Sequence, residues 1–347
     1  MYSATVWTDP QLYASQLGGA VDDESFLRMF QRRTAGRPVL VPFEMDKAFV
    51  ETLAPELEPI RTLVLGHRLA QLRAAEAEIA SQSGRLADAQ ERSATMPSRA
   101  LSHSVRIAKQ KISAAQQRRA RLARGAEQPH LGRMFPGHFV PLLTLQEGRL
   151  LVKPMRYKCR PSHVERRMAT LLENPHHARK DGLEGRWRLE FGHTHGVLAV
   201  ESLFESVSLH RLRHRTLLAG EGLSALELEY FPIPGQTLYV PCLWAHWQRP
   251  GQPELDSFAT IIDRAPPEVQ ATGQEWCPVF IKREHIGAWL APDPSNLGAC
   301  HAILDDRPDV RFEHLPSSEA RERLARPAPA KINNLWSPSS AAASRGP

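Results

Sequence analysis

Gly196-Val-Leu-Ala-Val-Glu-Ser-Leu-Phe-Glu205 is the stretch on which the fold of this 347-residue chain turns. It reads as a strand that ends in an aromatic-Glu pair, because a short, largely apolar run suits a half-buried pleated surface. Segments of the same kind lie on both sides: 139–143, 150–154 and 187–191 before it, and 226–231, 237–243 and 257–262 after it. Pro/Gly turns split several of them, and there is neither βαβ alternation nor a glycine-rich phosphate loop. The expectation is an α+β fold with an antiparallel, barrel-like sheet and flanking helices.

Upstream, residues 1–50 read as a short strand at 4–7, a helix from Pro10 and an apolar strand, Pro38-Val-Leu-Val-Pro42. From Leu65 the spacing changes. Leu65, Leu69, Leu72, Ile79 and Leu86 fall on steps of three and four, with Glu76 and Ser83 in the gaps, as in a heptad helix. Met96-Pro97-Ser98 breaks it, and Leu101, Val105, Ala108, Ile112, Ala115 and Leu122 repeat the stepping, interrupted by Arg119. Two amphipathic helices joined by a short Pro-containing turn form an antiparallel hairpin.

That hairpin concentrates the charge. Residues 61–125 hold 13 Lys/Arg against 4 Asp/Glu, more positive than the whole chain at +6, so the remainder is net acidic. The second arm, 98–125, has eight basic residues and no acidic one. Two readings stand side by side: a solvated coiled-coil face, or an arm that grips nucleic-acid phosphates without stacking on bases, since no aromatic interleaves the charges.

The length suggests two domains by prior, and the excess over one falls largely in this hairpin and the tail. Four cysteines without a close pair, Cys159, Cys242, Cys277 and Cys300, indicate neither a zinc ribbon nor a disulfide framework. No leader-like start and no stretch near 18 apolar residues are present. The expectation is a cytoplasmic protein with no membrane partner. From about Pro316 the chain is rich in Pro, Ala and Ser and is expected to be a disordered tail, in which Ile332-Asn-Asn-Leu-Trp336 would suit a docking peptide.

After Glu205 come Leu243-Trp-Ala-His-Trp247, Ser257-Phe-Ala-Thr-Ile-Ile262, Gly273-Gln-Glu-Trp-Cys-Pro-Val279 and Ala288-Trp-Leu-Ala-Pro292; before it come Lys153-Pro-Met-Arg-Tyr157 and His177-Ala-Arg-Lys-Asp181. In order and spacing this succession resembles the SOS response-associated peptidase (SRAP) family of abasic-site processing proteins. Members of that family show Phe-Tyr-Glu-Trp, Ala-Gly-Leu-Trp, Ser-Phe-Thr-Ile-Ile, His-Asp-Arg-Met-Pro-Val and a late Trp-Leu, with Met-Arg-Trp and Asn-Ala-Arg-Ala-Glu upstream. The start, Met1-Tyr-Ser-Ala, is similar to the Met-Cys-Ser-Ala of longer bacterial members. The resemblance implies a SRAP-like domain over 1–60 and 130–300, an inserted basic hairpin over 61–126 and a tail over 316–347.

It also implies a hydrolase-class sensor of abasic sites in single-stranded DNA, acting in the DNA-damage (SOS) response without a cofactor. A cysteine at the second position captures the sugar aldehyde as a thiazolidine, assisted by asparagine, glutamate and histidine. Carried over, the nucleophile position is Tyr2, the asparagine falls on His177, the glutamate is retained as Glu205 and the histidine falls on Gln274. A phenol cannot close the five-membered ring, and Gln274 cannot shuttle a proton near neutrality. Covalent crosslinking and autoproteolysis are therefore expected to be impaired, with an amine-only Schiff base as the alternative. Arg156 and Arg179 match arginines that hold phosphates, and Tyr157 replaces a tryptophan that offers a face to a base. A third reading is a non-catalytic adaptor acting on protein partners through the hairpin and tail. His176, His177, His193 and His195 invite a metal, but no carboxylate or cysteine completes the set, so no metal is expected. No Gly-X-Ser-X-Gly is present for a serine hydrolase.

Overall fold

The computed structural model describes residues 3–52, 54–124, 132–161, 175–218, 221–222 and 224–317. The chain begins with β1 (Ser3–Val6) and α1 (Pro10–Leu17). Local chemistry sets both ends of α1: Asp9 accepts from the Gln11 amide at 2.9 Å, Pro10 opens the first turn, and Gly18 stops the helix at φ 76°. A short β2 (Ala20–Val21) leads to α2 (Asp23–Thr34), capped by Asp22 through the Ser25 amide at 3.0 Å and hydroxyl at 2.7 Å. The segment 38–42 is not a strand. Only Leu40 bridges, to His138, because prolines at both ends remove the donors a ladder needs. Instead Val39 drops into an apolar cluster with Phe26 and Phe30 of α2, Met45 and Phe49 of α3 (Phe43–Glu51), and Ile60 and Val64 at the start of α4 (Glu58–Thr95).

The hairpin is α4, 38 residues long, against α5 (Arg99–Arg124), 26 residues long. Its seam differs in phase from the sequence expectation. Ala75, Gln82 and Ala89 are buried, whereas Glu76 and Ser83 are exposed and Leu65 and Leu69 remain 45% and 48% exposed. The partner arm supplies buried Ala108 and Ala115, so alanines lie on both sides of the seam. Arg119 points outward, as do Arg106, Lys109, Lys111, Arg118 and Arg121. At the base, Arg68 donates to the Leu122 carbonyl from Nε at 2.9 Å, which satisfies an orphan acceptor at the end of α5 and places a cation at the negative pole of its dipole.

The remaining elements are β3 (Arg133–Met134), β4 (Phe139–Gln146), β5 (Arg149–Tyr157), β6 (His177–Arg179), β7 (His195–Ser208), α6 (Leu209–Leu212), β8 (Ala225–Ile233), β9 (Leu238–Trp247), β10 (Leu255–Arg264), α7 (Pro267–Gln270), β11 (Trp276–Pro278), α8 (Ile286–Leu290), α9 (Leu297–Asp305) and β12 (Arg311–Pro316). Among the described residues the 12 strands form one sheet. β4 pairs with β5 and β7, β7 with β9, and β9 with β10, all antiparallel, while β10 meets β5 through a short parallel contact at Ser257↔Arg156 and Phe258↔Tyr157. The sheet and the helices around it make the α+β fold expected of this chain. The pairs β2–β5 and β6–β10 are also parallel, a mixture that strand reading alone did not reveal.

Period-two alternation sorts these strands between two cores. Val140, Leu142, Met155, Tyr157, Leu198, Val200, Val240, Cys242 and Phe258 fill the inner one. Their alternates, including Leu143, Val197, Ala199, Leu243 and Ile261, face outward onto Tyr13 of α1, Trp289 of α8 and Leu304 of α9. Residues 187–191 are helical turns rather than a strand. The Phe191 amide donates to the Trp187 carbonyl at 2.7 Å, burying Trp187 and Phe191 four residues apart while Leu189 stays exposed. The expected tail also loses its first residues to structure: Pro316 pairs with Leu228, and Ser317 is buried. Residues 318–347, with Leu335-Trp336, lie outside the described residues. No helix of the described residues is long and apolar enough to cross a membrane.

Candidate functional site

The second half of β7 is held on both edges. On one side β1 pairs Ser3↔Phe204, Ala4↔Leu203 and Thr5↔Ser202; on the other β8 pairs Phe204↔Glu229 and Glu205↔Leu228. Glu205 therefore sits one residue beyond the partner of Ser3. By alternation it shares a face with Leu203 and Val207, both of the inner core, so its half-buried carboxylate stands at the rim of that core. Tyr2 lies outside the described residues.

A buried arginine locks this corner. Arg133 of β3 donates from Nε and Nη2 to the Ser3 hydroxyl at 2.8 and 2.6 Å, and from Nη1 and Nη2 to the Glu227 carboxylate at 2.9 and 2.5 Å. Its guanidinium lies 3.8 Å from the Phe204 ring centre and 4.6 Å from that of Phe135. Ser317 completes the cluster, donating its hydroxyl to Glu227 at 2.8 Å. Such a charge survives burial because the fork is satisfied and lies on an aromatic face. Sequence reasoning missed Arg133, Ser3 and Glu227; no local pattern distinguishes them, since the partners stand 130 and 94 residues from Arg133.

Gln274 joins this corner from the loop before β11. Its amide Nε2 donates to the Ser206 carbonyl at 3.2 Å, adjacent to Glu205. The structure thus brings Glu205 and Gln274 together, with the Gln274 amide engaged in tying the loop to β7. The Tyr230 phenol, 2.6 Å from the Thr272 hydroxyl, is pushed up to about 12 by burial, with the Glu205 carboxylate adding to the rise. Cys277, in the same core, is also pushed up to about 12, first by burial. Burial raises the other three thiols too, and all four cysteines are free and buried. No described cysteine is placed to act as a thiolate nucleophile.

His177 enters from β6, opposite Thr260 of β10. Its Nε2 lies 3.4 Å from the Tyr157 hydroxyl, and its ring is 4.0 Å from that of His176. Tyr157 itself corrects an expectation. It is wholly buried, tilted against Phe258 at 5.5 Å, so it has no free face for a base: the ring was drawn into the inner core by the alternation of β5. Arg156, its neighbour, is half-buried; Nη2 donates to the Lys158 carbonyl at 3.0 Å, and burial with Arg160 nearby lowers its pKa to about 10. Arg179 is exposed, paired with Asp181 and stacked 4.1 Å from the Trp276 ring centre.

His195 is a core histidine. Nε2 accepts from the Gly192 amide at 2.8 Å and Nδ1 donates to the Trp289 carbonyl at 2.8 Å, a pairing that selects the neutral ring. Burial lowers its pKa to about 4. Among the described residues, no group of three His, Cys, Asp or Glu is placed to hold a metal ion.

No family model matches the sequence. No curated protein matches it either. Among solved structures, a protein from Bacteroides thetaiotaomicron is similar at 13% identity and a TM-score of 0.42, over 53% of this chain and 76% of its own. A protein from Bordetella bronchiseptica is similar at 15% identity and 0.42, over 55% and 89%, and a phage-related protein from the same organism at 16% and 0.41, over 54% and 81%.

Proposed function

We propose that this chain is a SRAP-like protein that binds single-stranded DNA, including strands with abasic sites, and that it does not form the thiazolidine crosslink. The observation that carries the reading is the corner where β1 is docked beside Glu205. Arg133 holds Ser3 opposite Phe204, the residue next to the glutamate that the resemblance retains. Position 2 carries a phenol, which has no route to a thiazolidine. With Gln274 engaged by Ser206, no imidazole stands at that position to move a proton.

The test mixes the protein with an abasic oligonucleotide under borohydride, and separately measures binding of single-stranded DNA against salt. Salt-sensitive binding with no trapped adduct is the expected result. A trapped adduct in the wild type would establish amine chemistry and overturn the non-covalent reading. Absence of binding at modest salt would instead favour the adaptor.

A further inference from the structure

A hollow of about 540 Å³ opens beside the Gly273-Gln274 loop, lined by Arg211, Arg264, Gln270, Gly273, Gln274 and Glu275. Arg211 reaches it from α6, and Arg264 from the last position of β10, paired with Trp276 of β11. One of the two arginines, Arg264, is held in place by an aromatic ring. Trp276 carries the Arg264 guanidinium 4.8 Å from its ring centre as well as that of Arg179 at 4.1 Å, so one indole orients two cations. Gly273, at φ 92°, lets α6 lie directly on the loop: a Cβ there would stand 2.7 Å from the Arg211 Cβ.

The charges do not balance within this group. Asp181 neutralises Arg179, but among the described residues neither Arg211 nor Arg264 has an ion pair. Glu275, the carboxylate on the wall, is exposed and bound to neither. Two guanidiniums converging on one hollow repel each other until an anion with several acceptor oxygens enters. Arg264, already oriented on the Trp276 indole, loses less freedom on binding it.

We infer that this hollow is a phosphodiester site, through which Arg211 and Arg264 hold the backbone of a single DNA strand beside Gln274. The inference rests on the DNA-binding reading above and deepens it. Neither arginine stands at a position that the family resemblance assigns.

The test is fluorescence anisotropy of a labelled oligodeoxythymidine with the full chain over a salt series. It compares wild type, Arg211→Ala/Arg264→Ala, and Arg149→Ala, an exposed control at the start of β5. The double variant is expected to bind about tenfold more weakly at 0.1 M salt. Its log–log salt slope should be shallower by about 0.7 for each phosphate that is no longer neutralised. Arg149→Ala should stay close to wild type. Gly273→Ala, which displaces Arg211 without removing charge, should weaken binding as well. Equal losses in the double variant and the control, or none in the double variant, would overturn the hollow as a site while DNA binding stands. If the wild type shows no salt-sensitive binding, both the site and the DNA reading fall.

Discussion

Arg133 illustrates how one buried charge can organise a corner of a protein. Four strand segments converge on it, and removing it leaves the half-buried Glu227 without its main partner and Ser3 without its anchor. Arg133→Ala should therefore destabilise by about 3–5 kcal/mol, measured by urea unfolding. Arg133→Lys, which keeps the charge and loses the fork, should fall between it and wild type. Glu190 makes the opposite case. It is 2% exposed, neither carboxylate oxygen has a partner among the described residues, and burial raises its pKa from 4.5 to about 7. The folded state holds a proton that the unfolded chain releases, so stability is lost as pH rises from about 4.5 through about 7 and then levels. Glu190→Gln should be near neutral at pH 4 and more stable than wild type by about 1–2 kcal/mol at pH 8. Parallel stability curves against pH would show that the carboxylate is already compensated.

At the scale of elements, the hairpin tests how far periodicity reaches. Its two helices, their Pro-containing turn and the basic second arm were legible, but the phase of α4 was not. Leucines at 65 and 69 suggested a seam, yet those residues stay nearly half exposed, and the seam runs through Ala75, Gln82 and Ala89. A heptad tells which residues share a stripe; two overlapping stripes differ by one position, and only the facing helix selects one. Gln82→Leu should raise the thermal midpoint by burying an apolar side chain in place of an amide, worth about 1 kcal/mol. Ala75→Glu should lower it, while Leu65→Glu and Leu69→Glu should leave it nearly unchanged. Circular dichroism melts of the four variants decide between the two phases. The strands followed a similar logic. Those flanking the inner core were legible as apolar runs, whereas 187–191 was misread because its apolar residues serve a four-residue spacing, and 38–42 because its prolines forbid a ladder.

For the whole molecule, the hairpin is rooted in the core rather than appended to it. Ile60 and Val64 lie in the same cluster as Phe26, Phe30 and Phe49, although α4 continues unbroken into the projecting arm. Replacing residues 72–119 by a short turn should leave cooperative thermal unfolding intact, while replacing 58–124 should abolish it by exposing that cluster. If the longer deletion melts like wild type, the packing at the base contributes little. The same view separates the candidate site into parts. Glu205, in the second half of β7, and the exposed Arg179 are positions that the resemblance picks out in the sequence. The burial of Tyr157, the role of Gln274 as a tether and the Arg211–Arg264 hollow were not visible there.

The sequence by itself determined the α+β class, the six apolar strands around the core, the caps of α1, the hairpin and its charge, because each depends on residues a few positions apart. The tertiary structure alone decided the phase of the hairpin seam, the pairing of β12, the inward turn of Tyr157 and the clamp of Arg133 on Ser3 and Glu227. Those depend on which distant surfaces exclude water from one another, and a buried side chain differs from an exposed one only in what is folded against it.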